Sequence, residues 1–155
     1  TNVFVADDSS FKGAIQTYLS NNNSGEMNCW DVSGVTDMSL AFQNTNFNEP
    51  LNCWDTSNVN TMRGMFQNNR VFNQDLSSWN VENVKDTAFM FQNAVSFNQE
   101  LFRLSKVEDL RAMFYGASAF DQPIESWDVS RVTDMGFMFF IATSFDQSLN
   151  TWDVG

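Results

Sequence analysis

One residue past an aromatic anchor, a mostly acidic position recurs through the chain: Asp31, Asp55, Asn80, Arg103, Asp128 and Asp153. If the segments that carry it stack as parallel strands, equivalent carboxylates lie about 5 Å apart and repel one another. A divalent cation or a basic ligand would relieve that repulsion, so this column is the candidate ligand-binding stripe, with calcium as the candidate ion. Alternatively, the same carboxylates accept hydrogen bonds from nearby Ser33, Ser57 or Ser130 and shape the turn that follows. A second column, Asp37, Thr61, Asp86, Asp109 and Asp134, stands where a helical segment is expected to begin, and there a carboxylate caps amides and favours the helix dipole. A third, Asn48, Asn73, Asn98, Asp121 and Asp146, has the composition of an internal ladder bonded to backbone groups.

Other chemistry has little to draw on. The chain contains no histidine and no Cys-x-x-Cys, which removes the usual zinc ligands and the ordinary acid/base and triad machinery. Its carboxylates are repeated decoration instead of one unmatched pair in a pocket, so the expectation is that it is not an enzyme and has no catalytic residues. With 19 acidic against 8 basic side chains and a net charge of −11, nucleic acid is a poor partner, because phosphate binding relies on clustered Lys and Arg. The position after the recurrent valine reads Thr36, Asn60, Lys85, Glu108 and Thr133, too mixed for an ice-binding face. Asn22 and Ser24 form the single glycosylation sequon.

These columns exist because a block of about 25 residues recurs. Trp30, Trp54, Trp79, Trp127 and Trp152, with Phe102 in the missing place, are spaced by 24, 25, 23, 25 and 25 residues. Five residues on come Val35, Val59, Val84, Val107 and Val132; then Met38, Met62, Thr87, Leu110 and Met135; then Phe42, Phe66, Phe91, Phe114 and Phe139. Each block closes on Phe47, Phe72, Phe97, Phe120 or Phe145. A unit this short cannot bury its apolar side alone and must stack on its neighbours. The spacing Leu76, Trp79, Val81 predicts a short strand, and the steps of three from Val59 to Met62 and Met65 predict a helical turn or short helix. Adjacent strands are then expected to pair in parallel. Cys29 and Cys53 fall at the same place in consecutive units, about 4.8 Å apart in such a sheet, so a disulfide is sterically open to them, the alternative being two reduced thiols.

The runs WDVSGVTDMSLAF, WDTSNVNTMRGMF, WNVENVKDTAFMFQNAVSFNQEL and WDVSRVTDMGFMFFIATSFDQSL resemble BspA-type leucine-rich repeats, in the tryptophan-rich variety of mycoplasma lipoproteins. The likeness spans roughly residues 27 to 155, and it departs from the pattern at Phe102, in a unit two residues short, and at Thr56. The resemblance implies an extracellular or cell-surface location, an oxidising setting for the two cysteines, and adhesion-type binding of a protein or glycan.

The first 26 residues fall outside the repeat. Ser9 or Ser10 can cap a helix through Phe11, Ala14, Ile15, Tyr18 and Leu19, ended by the polar run from Asn21 to Gly25, and residues 1–26 are therefore expected to be an N-terminal helical cap. Residues 27–155 are expected to form one continuous domain of five or more repeats with an incomplete last coil, ending inside a longer array. The whole is an α/β solenoid, a leucine-rich-repeat-like right-handed stack of coils, each a short parallel strand plus a helical turn. The longest apolar run, around Phe137 to Ala142, is too short to span a membrane. The expected role is recognition on the strand-side face; the second option is a structural spacer or surface array that self-associates through an open C-terminal edge.

Overall fold

The computed structural model describes residues 4–21 and 26–153. Its named elements are few. Strand β1, Val5–Asp7, pairs in parallel with β2, Asp31–Gly34, and helix α1, Phe11–Ser20, lies between them in sequence. A short 3-10 helix, Met27–Cys29, leads into β2. The remainder is turns and extended backbone, yet it is regular, because each unit repeats the same hydrogen bonds to the next.

Those bonds do not run where a strand was expected. Residues 76–81 form a turn and extended backbone, and among the described residues β2 is the one strand that follows a tryptophan position. The parallel contacts fall instead in the half expected to be helical, as bridges joining Asp37 to Thr61, Thr61 to Asp86, Asp86 to Asp109, and Asp109 to Asp134. From each bridge a rung of four amides donates to the next unit. Met38, Leu40, Phe42 and Asn44 donate to the carbonyls of Thr61, Arg63, Met65 and Gln67 at 2.8 to 3.0 Å, and the next three interfaces repeat the set at 2.7 to 3.1 Å.

No helix forms in this half, for a backbone reason. Two residues per unit, four apart, have left-handed φ: Leu40 and Asn44, Gly64 and Asn68, Phe89 and Asn93, Ala112 and Gly116, Phe137 and Ile141. A left-handed residue every fourth position interrupts an α-helix and turns the intervening N–H groups out toward the neighbouring unit. The three-residue apolar rhythm comes from tight i to i−3 turns, such as the Met65 amide on the Met62 carbonyl at 3.1 Å and the Met113 amide on the Leu110 carbonyl at 3.1 Å. Leu, Phe, Ala and Ile in this region each cost roughly 1 kcal/mol, and the inter-unit bonds on either side hold them there.

The interior is a set of side-chain columns. Phe42, Phe66, Phe91, Phe114 and Phe139 stack at 5.4, 5.6, 5.7 and 5.8 Å with ring planes within 6°. The closing phenylalanines, Phe47 to Phe145, form a parallel column at 5.9 to 6.4 Å. Within a unit the two rings stack face to face, as for Phe66 and Phe72 at 3.8 Å. Trp54, Trp79 and Phe102 continue the third column at 6.4 and 6.5 Å. The indole N–H groups of Trp54, Trp79 and Trp127 also bond the backbone of the preceding unit: Trp54 to the Met27 carbonyl at 2.8 Å, Trp79 to Leu51 at 3.0 Å, Trp127 to Phe102 at 3.0 Å. An aromatic that is buried thus keeps its one donor satisfied. Thr56, the departure in the valine column, is buried and donates to the Asn80 carbonyl at 2.8 Å.

At the N-terminal end α1 covers the first unit. Phe11, Ile15 and Tyr18 are buried on it, Ala14 and Leu19 are half-buried, and the Phe11 ring meets the Trp54 edge at 5.5 Å. The expected serine cap is corrected: neither Ser9 nor Ser10 caps the helix through its side chain. The Asp7 carboxylate accepts from both hydroxyls and both amides of Ser9 and Ser10, so the acidic residue organises the turn into α1. The cap also includes β1 and Asp8, which were not foreseen. Of the run expected to end the helix, Asn21 closes α1 by donating to the Thr17 carbonyl; its remaining residues, and with them the Asn22 sequon, lie outside the described residues.

Candidate functional site

Every described member of the column after tryptophan is exposed: Asp31, Asp55, Asn80, Arg103, Asp128 and Asp153. The first turn-forming alternative is realised at four of them. Asp31 accepts from the Ser33 amide at 3.0 Å and its hydroxyl at 2.6 Å, and Asp55, Asn80 and Asp128 accept the amides of Ser57, Glu82 and Ser130, each at 3.0 Å. Hydrogen bonds from the serine side chains, then from their amides, hold the carboxyls of Asp31, Asp55 and Asp128 below the ordinary value, while the charge of Asp31 pushes Asp55 slightly the other way. The column is therefore a line of turns whose outer oxygens still face solvent. Arg103 interrupts it as an exposed guanidinium with no ion pair or hydrogen bond among the described residues.

The column beginning at Asp37 has a different role from the helix cap expected of it. Each carboxylate accepts the amide two residues on, Asp37 from Ser39 at 2.7 Å, Asp86 from Ala88 at 2.9 Å, Asp109 from Arg111 at 2.9 Å and Asp134 from Gly136 at 2.7 Å. Stacked like charges are then bridged by cations: Lys12 on Asp37 at 3.1 Å, Arg63 on Asp86 at 3.1 Å and on Asp109 at 3.3 Å, and Arg111 on Asp134 at 3.6 Å. Arg63 also lies 4.9 Å from the Phe89 ring centroid. Three cations thus serve these four carboxylates, with Arg63 shared between Asp86 and Asp109.

The Asn48 column forms a ladder near the surface. The Asn73, Asn98, Asp121 and Asp146 amides each donate to the side-chain oxygen of the residue one unit back, at 2.9, 2.9, 2.9 and 3.0 Å, and Gln74, Gln99, Gln122 and Gln147 reinforce it. A glutamine line that the sequence reading passed over, Gln43 to Gln67 to Gln92, runs along the outside of the rungs. The signal for it was present, as the same residue type recurred one position after the stacked phenylalanine.

Beside Arg103 the surface opens into a groove of about 890 Å³, lined by Ser77, Glu100, Leu101, Phe102, Arg103, Pro123, Glu125, Ser126, Trp127 and Thr151. It lies beside the sequence irregularity. The fourth unit is two residues shorter on approach and has Phe102, smaller than the tryptophan above and below it. Glu100 and Glu125, which no pattern singled out, contribute its acidic groups.

Cys29 and Cys53 are exposed free thiols, not a bridge. Here the contact between units is made one residue earlier: the Asn28 side chain accepts from the Cys53 amide at 3.0 Å and donates to Asn52 at 3.0 Å and to the Cys53 sulfur at 3.4 Å. Among the described residues no group of three His, Cys, Asp or Glu converges as a metal site, and no helix is long and apolar enough to cross a membrane.

A family model described as "Mycoplasma protein of unknown function, DUF285" matches residues 9–104 and again 100–155. No curated protein and no solved structure matches the chain.

Proposed function

The chain belongs to the DUF285 family of Mycoplasma-type proteins of unknown function, and from that premise we propose that it is a cell-surface recognition module of the BspA-like, leucine-rich-repeat-like kind. In this proposal the units form a solenoid whose role is to hold a fixed surface in front of a protein or glycan ligand. The observation that carries it is the groove at the short fourth unit. An unpaired arginine in a protein of net charge −11 is not needed to hold the core, and here it stands over a recess with both apolar and hydroxyl-bearing walls. With Glu100 and Glu125 beside Arg103, such a mixture suits a ligand that offers an acidic group to Arg103 and hydroxyl or amide donors to the two glutamates and to Ser77, Ser126 and Thr151. The rest of the family resemblance, extracellular display, belongs to the same proposal and needs no catalytic residue.

The test is to screen the purified domain against arrays of glycans and matrix proteins, and then to repeat each positive with Arg103→Ala and Asp128→Asn. Binding that falls at least roughly tenfold with Arg103→Ala, while the unfolding midpoint is unchanged, supports the groove. Positives that survive both substitutions would place recognition elsewhere, and no positive at all would favour a purely structural role. Adding calcium or a chelator during a melt decides the ion: an unmoved midpoint removes calcium from the proposal.

A further inference from the structure

Among the described residues, five of the six aromatic anchors close a tight turn: the amides of Trp30, Trp54, Trp79, Trp127 and Trp152 donate to the carbonyls of Met27, Leu51, Leu76, Ile124 and Leu149 at 3.0 to 3.2 Å. The fourth unit has no room for it, because Leu101 runs straight into Phe102 where its neighbours have Ser77 and Ser78, or Glu125 and Ser126, in between. The recess beside Arg103 lies at this place, with the buried Leu101 and Phe102 in its lining. Elsewhere the turns are tied to one another by a hydroxyl, Ser78 on the Asn52 carbonyl at 2.9 Å and Thr151 on the Glu125 carbonyl at 2.6 Å. Here the tie is broken: neither the Ser77 carbonyl nor the Ser126 hydroxyl has a hydrogen-bond partner among the described residues.

Three charged side chains border the recess, and none of them meets another. Arg103 and Glu100 have no ion pair or side-chain hydrogen bond among the described residues, and the Glu125 carboxylate accepts the Ser148 hydroxyl at 3.5 Å. Lys12, Arg63 and Arg111, by contrast, each lie 3.1 to 3.6 Å from an aspartate. Glu100 and Arg103 stand three residues apart on extended backbone, which separates their α-carbons by about 10 Å. We infer, resting on the reading of this recess as the recognition site, that its ligand is a peptide segment carrying both signs of charge. A Lys or Arg side chain lies against Glu100 and Glu125, a carboxylate lies on Arg103, and the short stretch between them covers Leu101 and Phe102. A ligand that closes over the recess withdraws water from all three charges. A neutral or purely anionic ligand would leave both glutamates without a counter-charge, a purely cationic one would leave Arg103 so, and each uncompensated charge opposes binding. An acidic glycan answers Arg103 alone. A peptide brings both signs on side chains a few residues apart, together with backbone N–H and C=O groups for the Ser77 carbonyl and the Ser126 hydroxyl.

The probes are four sets of acetylated, amidated hexapeptides of Ala, Ser and Phe, containing Lys and Asp at every spacing, Lys with Asn, Gln with Asp, or Gln with Asn. Each is titrated into the chain while the Trp127 indole and Arg103 guanidinium N–H signals are followed by NMR. The Lys/Asp set is expected to bind at least about threefold tighter than either single-charge set, as one further exposed ion pair provides, and to lose that advantage in high salt. Arg103→Gln should erase the benefit of Asp and keep that of Lys, and Glu100→Gln with Glu125→Gln should do the reverse. Two serines inserted between Leu101 and Phe102 restore the spacing of the third unit, and should abolish binding of every set with the unfolding midpoint not lowered. A single-charge set that binds as tightly as the mixed one overturns the inference, as does mixed-set binding that survives the insertion. Failure of all four sets overturns it too. Glycan or matrix-protein positives lost with both Arg103→Ala and the insertion would then keep recognition at the recess with another ligand class, whereas positives indifferent to both would remove the recess from the proposed function as well.

Discussion

The two ends of the stack present the same columns to different surroundings. At the first unit, Phe42 is fully buried under α1, the Asp8 carboxylate takes the Thr36 amide at 2.6 Å and the Asp37 amide at 2.9 Å, and Lys12 reaches Asp37. At the last, the equivalent Phe139 is half-buried, Phe137 and Phe140 are exposed, and the rung's donors are unpaired among the described residues. Phe42 and Phe139 are the same residue at the same place in the unit, so their difference in burial comes from what lies against them, whereas Phe137 and Phe140 stand where the first unit has Leu40 and Gln43. A repeat buries its apolar face only if something covers it, and an end needs both an apolar lid and a polar partner for the backbone.

The sharpest test of that comparison is a matched pair of truncations. Phe11→Ala in α1 should cost about 3–5 kcal/mol in urea unfolding, the usual loss for a fully buried phenylalanine, and Phe139→Ala no more than about half of that. Equal losses would show that the open end is as well covered as the closed one. Next in size is Gly116→Ala, since Gly116 has φ +67° and a Cβ there would run into the Asn93 side-chain oxygen. A loss of about 1–2 kcal/mol is expected. The adjacent left-handed position of the same unit already carries Ala112 at φ 49°, so a null result at Gly116 would mean that the amide ladder yields easily.

Smaller effects separate the polar devices. The Asp8 carboxyl is held below its ordinary value, chiefly by the Thr36 hydroxyl; burial opposes this, and the Asp37 and Thr36 amides add to the lowering. A depressed folded-state value means that its stabilisation is complete above the ordinary carboxyl range near pH 4 and is lost as pH falls through the folded value. Asp8→Asn should therefore lower the melting temperature at pH 7 and make little difference in strong acid; a deficit that persists undiminished in acid would assign the loss to packing. Arg63→Met is expected to change stability least, by about 0–1 kcal/mol and less in high salt, because the arginine and its two aspartates are partly exposed.

Much of the candidate site could be seen in advance because it is a column property. The positions after tryptophan were expected to face outward and do, and the asparagine line bonds backbone as its composition indicates, although near the surface. The groove was less visible. Phe102 and the short spacing were noted as irregularities, but whether a missing indole leaves a recess or is filled depends on how neighbouring units close over it. Glu100 and Glu125 join the site only through that closure.

The chain's own order of residues determined the period, the columns and their burial, because large apolar side chains at fixed intervals have one economical way to leave water, over their equivalents in adjacent units. It did not decide the backbone between them. Steps of three fit a helix or a string of tight turns equally well, and Leu40, Phe89, Phe137 and Ile141 give no hint of left-handed φ, although Gly64, Gly116 and the line Asn44, Asn68, Asn93 at the same places did carry that signal. Tertiary structure settled the choice. A helix would satisfy its amides within one unit, whereas stacking offers four acceptors on the neighbour, and those bonds hold residues in dihedrals they would not adopt alone. The same outward turn of the amides gave the stack a donor end and an acceptor end.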